Sequence, residues 1–280
     1  MNTTQRAPAL FVSHGAPTYA LEPGLAGANL AKVGQQLSDV KAVLVVSPHW
    51  QTRGLQVQAM AQPETIHDFG GFPSALYEIE YKAPGAPALA ARTAELLSEQ
   101  GMPAVLQDAR GLDHGAWVPL LHMFPEATIP VFQVSLPHTL DTRQALRLGQ
   151  GLKSLREEGV LIIGAGSITH NLYDIRSPGS PTERYVDEFT GWIKQRLAEG
   201  DIESLIDYRR LAPNAAKAHP TEEHFLPLLV AVGASDEAET MTLIEGDVTY
   251  GVLSMESYGW GLEAWQNTAS PHHDTERLAS

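Results

Sequence analysis

His14, His49, His114, His170 and His224 stand where an α/β protein presents ligands, just past an apolar run or at the start of a helical one. Imidazole in such places can bind a divalent metal or move protons near neutrality. "ALFVSHGAP" runs an apolar stretch into His14, and "VLVVSPHW" repeats the arrangement for His49. His170 follows "VLIIGAGSIT", His114 sits in "GLDHGAW", and His224 lies in "AHPTEEHFLPLL", where Thr221 is expected to cap a helix. Three imidazoles leaving open positions describe a catalytic metal site, and a fourth nearby describes its acid–base partner. A single histidine after a strand is more often a hydrogen-bonded turn residue. His67 and His138 are assigned that role, and His122 in "LLHMF" is assigned to helix packing. Other chemistries lack their motifs. There is no G-x-S-x-G elbow and no P-loop, "GAGSIT" lacks the third glycine of a dinucleotide fingerprint, and "HPTEEH" is not H-E-x-x-H.

Positioning these groups requires strands and helices in alternation. Apolar runs at 9–13, 42–47, 56–60, 104–106, 129–136, 160–164 and 249–255 are expected to be strands. Amphipathic stretches near 26–37, 87–100, 117–124, 142–158, 182–198 and 221–232 are expected to be helices. Strand runs without polar alternation suit a mostly parallel central sheet flanked by helices on both faces, with the metal site at the strand C-terminal ends. Pro48 is expected to end its strand, because it has no N–H to donate. Residues 62–81 form a long aromatic loop, and loops of that length in compact domains usually serve function. We expect a single α/β catalytic domain over 1–265 and a disordered polar tail over 266–280, which holds His272 and His273.

Bulk properties narrow the class further. The 280-residue chain carries a formal charge of −14, which disfavours nucleic acid as a partner. It has no cysteine, so disulfides and thiolate metal sites are excluded and a reducing compartment fits. No apolar run approaches the ~20 residues of a membrane helix, and no secretory leader is expected. A cytoplasmic enzyme without membrane or nucleic-acid partners is the expectation; the sequence is equally compatible with a monomer and a homo-oligomer.

Six motifs taken together, "SHGAP", "SPHW", "TIHDFGGFP", "LDHGAW", "SITHN" and "EEHFLPLL", resemble the class III (LigB-type) extradiol ring-cleaving dioxygenases, and most of all their 4,5-DOPA extradiol branch. The resemblance spans residues 8–265. It implies an oxidoreductase that opens a catechol-type, DOPA-like ring with O2 to a semialdehyde. It further implies that His14, His49 and His224 bind the metal, that His170 is the acid–base catalyst (a further ligand in some relatives), and that His114 lines the pocket. Fe(II) is the implied working metal, and Zn(II) is able to occupy the site in purified protein. Most non-haem Fe(II) oxygenases use two histidines and a carboxylate, whereas the third position here is histidine, with Glu222 and Glu223 beside it as carboxylate alternatives. Arg53, His67 and Tyr77 are candidates to meet a substrate side chain. Two other readings stay open at this stage: a zinc hydrolase using the same histidines, and a metal-binding homologue without catalysis, as among Memo-type relatives.

Overall fold

The computed structural model describes residues 6–266. Its strands are β1 (Ala9–Ser13), β2 (Ala42–Thr52), β3 (Leu55–Gln58), β4 (Ala104–Gln107), β5 (Val131–Pro137), β6 (Val160–Gly166), β7 (Met241–Ile244), β8 (Val248–Thr249), β9 (Leu253–Ser254) and β10 (Ser257–Trp260). The helices are α1 (Gly24–Gln36), α2 (Pro87–Glu99), α3 (His114–Met123), α4 (Thr142–Leu152), α5 (Arg184–Glu199), α6 (Ile202–Ile206), α7 (Tyr208–Leu211), α8 (Ala215–Ala218), α9 (Leu226–Ala234) and α10 (Leu262–Gln266). An eight-stranded sheet runs in the order β4-β3-β5-β2-β6-β1-β10-β7. Its centre, β5-β2-β6-β1, is parallel; β10 and β7 join antiparallel at one side, and β3 pairs antiparallel with β5 at the other.

The unbroken apolar runs follow from burial on both faces. In β1, Ala9 and Phe11 enter one layer while Leu10 and Val12 enter the other. β2 divides Leu44 and Val46 from Val43 and Val45, and β6 divides Ile162 from Leu161 and Ile163, in the same way. Residues from α2, α4, α5 and α9 build the first layer, and residues from α1, α3 and α10 build the second. β4 departs from this pattern. It is an edge strand that leaves Val105 and Leu106 exposed.

Other expectations change with the structure. Pro48 does not end its strand: β2 continues to Thr52, and its register with β5 passes from Val46↔Val134 to Gln51↔Leu136. β2 therefore spends five steps where β5 spends two, and Pro48 is tolerated inside that bulge because no ladder bond is asked of it. Residues 249–255 are not one strand but the hairpin β8–β9, turned by Tyr250 (φ 54°) and Gly251 (φ 69°). Thr221 caps no helix. Its hydroxyl donates to Glu223, and α9 begins at Leu226 with a proline in its first turn. The stretch 142–158 is helical only to Leu152, then tightens to a 3₁₀ turn over Lys153–Glu158. The tail residues His272 and His273 lie outside the described residues.

Candidate metal centre

Three routes bring three imidazoles to one point at the carboxyl end of the sheet. His14 directly follows β1 and stays in the ladder, its N–H donating to the Gly166 carbonyl at 2.9 Å. His49 rides on the bulge of β2. His224 arrives on the segment before α9, and its carbonyl accepts the Ser167 N–H at 3.0 Å, which ties it to the end of β6. Glycine makes that last approach possible. A Cβ on Gly166 would meet the His224 carbonyl oxygen at 2.4 Å, and one on Gly164 the Pro227 carbonyl oxygen at 2.0 Å. The glycines of "GAGSIT" thus serve close packing of β6 against the start of α9. The ring centroids of His14, His49 and His224 form a nearly equilateral triangle, 4.9, 5.1 and 5.2 Å on a side.

Hydrogen bonds on the outer nitrogens decide what the inner ones can do. His14 Nδ1–H donates to the Gly15 carbonyl at 2.8 Å, and His224 Nδ1–H to the Glu223 carboxylate at 3.1 Å. His49 Nδ1 faces an Asp68 carboxylate oxygen at 3.6 Å. His14 and His224 therefore each turn a lone pair inward on Nε2. Nε2 of His14 and of His49 lie 3.3 Å apart, and Nε2 of His224 is buried without a partner. Two nitrogens each ~2.0–2.1 Å from one ion at near-tetrahedral angles are separated by about 3.3 Å, so the donor set fits a divalent metal.

The electrostatics agree. Burial, with His49 and His114 alongside, pushes the His14 imidazole well below its ordinary value. Burial, with His170 and His14 nearby, does the same to His224. Burial and His114 bring His49 down to about 4 against the pull of Asp113 and Asp68. These rings are neutral at pH 7, the form that binds a metal.

Two further imidazoles flank the triangle. The His170 ring stacks on that of His224, 3.4 Å between centroids and 7° from parallel. Burial, with His114 near, brings it to about 4, so it is a neutral base at pH 7. His114 opens α3 with its ring centroid 3.9 Å from that of His49. Residues 62–81 cover this side. Phe69 lies 5.7 Å from His114, 6.4 Å from Trp117 and 5.2 Å from Tyr77, centroid to centroid, giving the site an aromatic wall. His67 is engaged with the Ile79 carbonyl at 3.0 Å, and the Tyr77 hydroxyl accepts the Phe72 N–H at 3.4 Å, so both brace this loop. Arg53 is exposed at the β2–β3 turn. His122 packs on Tyr19, bonded to its carbonyl, and His138 bonds the Gln51 side chain outside the triangle.

Sequence reasoning overlooked the acids that organise the site. Asp68 Oδ1 accepts both the main-chain N–H of His114 (2.9 Å) and its ring Nδ1–H (3.0 Å). Burial acts to raise Asp68, but these bonds outweigh it and hold the carboxylate down to about 2. Beneath His49, the fully buried Asp113 accepts from Ser47 Oγ (2.7 Å), Gln133 Nε2 (2.9 Å) and Arg110 (3.4 Å). Ser47 Oγ in turn accepts the His49 N–H, and Arg110 donates to the His49 carbonyl at 3.0 Å while lying 5.8 Å over the buried Trp50 ring. The signals for both acids, "IHD" and "LDH", were present, but their partners lie 46 and 66 positions away in the chain.

Comparison with known proteins supplies the family. The family model described as the catalytic LigB subunit of aromatic ring-opening dioxygenase matches residues 8–258. The chain belongs to the LigB family. Within it, the chain is 41% identical over 252 residues to the 4,5-DOPA dioxygenase extradiol of Beta vulgaris, covering 89% of this chain and 94% of the relative. It is 40% identical over 260 residues to the protein of the same name from Escherichia coli K12, covering 91% and 95%. A solved structure of an uncharacterized Escherichia coli K12 protein superposes with a TM-score of 0.74 at 34% identity, covering 91% of this chain and 99% of that one. As a LigB-family protein, the chain is a metal-dependent extradiol ring-cleavage dioxygenase, acting with O2 on an aromatic substrate. No helix among the described residues is long and apolar enough to cross a membrane.

Proposed function

We propose that this LigB-family domain, residues 1–265, holds ferrous iron on His14, His49 and His224 and opens a DOPA-like catechol next to its diol, yielding a semialdehyde that carries both oxygen atoms of O2. The observation that carries the metal assignment is the pair of Nε2 atoms 3.3 Å apart beside the partnerless Nε2 of His224. The substrate class rests on the names of the Beta vulgaris and Escherichia coli relatives. When bound, the cation would favour an ionised catechol and supply the redox chemistry that O2 needs. His170, neutral at pH 7 and stacked on His224, takes the catechol proton and later returns it to the ring-opened product. His114 hydrogen-bonds the substrate oxygens, and Phe69 and Tyr77, with the fully buried Trp117 behind Phe69, pack the ring and exclude water.

Iron is preferred to zinc because ring opening needs a metal that shares electrons with O2. Zinc competes for the site, since imidazole donors bind it more tightly than ferrous iron. The test is anaerobic loading with Fe(II), followed by a panel of catechols that includes DOPA, monitored for oxygen uptake and a yellow semialdehyde. Stoichiometric uptake of O2 with colour is expected. Turnover without oxygen consumption would move the site to zinc hydrolysis.

A further inference from the structure

We propose that Asp68 is a positioning residue for two histidines at once, holding both His49 and His114 in the Nδ1–H tautomer so that each keeps its lone pair on Nε2. One carboxylate oxygen accepts two donors from His114, and the other lies 3.6 Å from His49 Nδ1. A carboxylate accepts and cannot donate, so a ring nitrogen turned toward it carries the hydrogen. Neutral imidazole has one N–H, which leaves Nε2 bare on both rings. For His49 that bare nitrogen is the one facing His14. Among the described residues Asp68 is the acceptor that faces His49 Nδ1, and the other tautomer would point a hydrogen at the metal position.

The carboxylate is held firmly enough for this work. Ile66 N–H donates to the Leu112 carbonyl and Leu112 N–H to the Glu64 carbonyl, both at 2.7 Å, lacing the loop to the segment that enters α3. The Trp117 indole adds a bond to the Ile66 carbonyl at 3.0 Å. Asp113, at the N-cap of α3, makes no side-chain cap; Asp68 satisfies the first N–H of that helix instead and places a negative charge at its N-terminus. The aromatic loop is therefore part of the metal centre as well as its cover.

This inference rests on the metal reading for His49 but is tested apart from it. Long-range proton–nitrogen spectra of ¹⁵N-histidine-labelled, metal-free protein, taken well above the imidazole titration range, report each ring's tautomer. The wild type is expected to show His49 and His114 both as Nδ1–H, and an Nε2–H form of His49 would overturn the proposal before any variant is made. In Asp68→Asn the amide oxygen stays on the two His114 donors, so the amide –NH2 faces His49. His49 is then expected to switch to Nε2–H while His114 does not; Asp68→Ala is expected to release both. Zinc affinity, read by chelator competition, is expected to fall about 10–100-fold in Asp68→Asn. Unchanged tautomers in both variants, or unchanged zinc affinity, would also overturn it. A wild type whose zinc binding ignores His14→Ala would instead sink the metal assignment and leave the tautomer result standing.

Discussion

His14 and His49 look like duplicates in the sequence, each an apolar run ending in a serine and a histidine, yet the fold delivers them by opposite means. His14 is placed by main chain. Its N–H extends the β1–β6 ladder, the Ser13 N–H donates to Ser257 Oγ at 3.0 Å, and the Ser13 hydroxyl donates to the Glu256 carbonyl at 2.7 Å. His49 sits on a bulge where the ladder is broken, and the buried Ser47, Asp113 and Gln133, with the half-buried Arg110, replace the lost bonds. A regular strand end keeps its ladder. A bulge gives it up and needs a polar scaffold, here one that still leaves Arg110 Nε buried without a partner.

The largest effect expected is one that treats the two alike. His14→Ala and His49→Ala should each abolish metal binding and with it activity, measured by metal content after anaerobic Fe(II) loading. His170→Ala should keep the metal and lose turnover; loss of its metal would make His170 a ligand. The difference between the two routes should appear one step back. Asp113→Ala strands the Ser47 and Gln133 donors and is expected to cost about 3 kcal/mol in denaturant unfolding of the metal-free protein, with zinc bound roughly 10–100-fold more weakly. The matching cut behind His14, Ser257→Ala, removes one acceptor from a main-chain N–H and is expected to cost about 1 kcal/mol with little change in affinity. Equal losses would erase the contrast.

Legibility followed the same division. β1, β6 and the apolar half of β2 were plain because burial on both faces leaves an unbroken run, and His14 could be placed at once. The bulge was invisible because its cause lies in Asp113, far along the chain, and Pro48 alone argues for a strand end. β7 and β10 were missed because "MTLI" and "SYGW" break their apolar residues with Thr242, Ser257 and Gly259, and the "YG" hairpin turn hid inside an apolar stretch. The five histidines whose rings cluster stood out by their position relative to strands and helices. Asp68 did not, since its bonded partner His114 lies 46 positions along the chain.

Acid should reveal the burial of His49 without mutation. Above about pH 6.5 both rings are neutral in the folded and the unfolded chain, so they add no pH dependence. Below it the unfolded chain takes up protons that folded His49 refuses until about 4, and stability of the metal-free protein falls across that window. Asp68 acts in the same direction lower down, its contribution lost as pH falls from 3.8 toward about 2. The Asp113 and Asp68 carboxylates pull His49 upward, whereas burial and neighbouring imidazoles push His14 down, opposed by its bond to the Gly15 carbonyl. Imidazole signals followed on acidification should show His49 protonating near pH 4; a midpoint near the ordinary imidazole value would deny the effect of its burial.

The smallest effect tests whether main chain alone truly holds His14. Gly15, the next residue, has φ +64°, and a Cβ there would meet the Met255 side chain at 2.8 Å. The left-handed conformation costs a non-glycine residue about 1–2 kcal/mol, and the flexible end of Met255 can move aside. Gly15→Ala should therefore lower stability by about that amount while leaving zinc affinity nearly unchanged, because the bonds that fix His14 lie on the strand side of the turn. A large loss of affinity would mean that the Nδ1–H bond to the Gly15 carbonyl, not the ladder, aims the ring. His14 would then depend on local geometry just as His49 does.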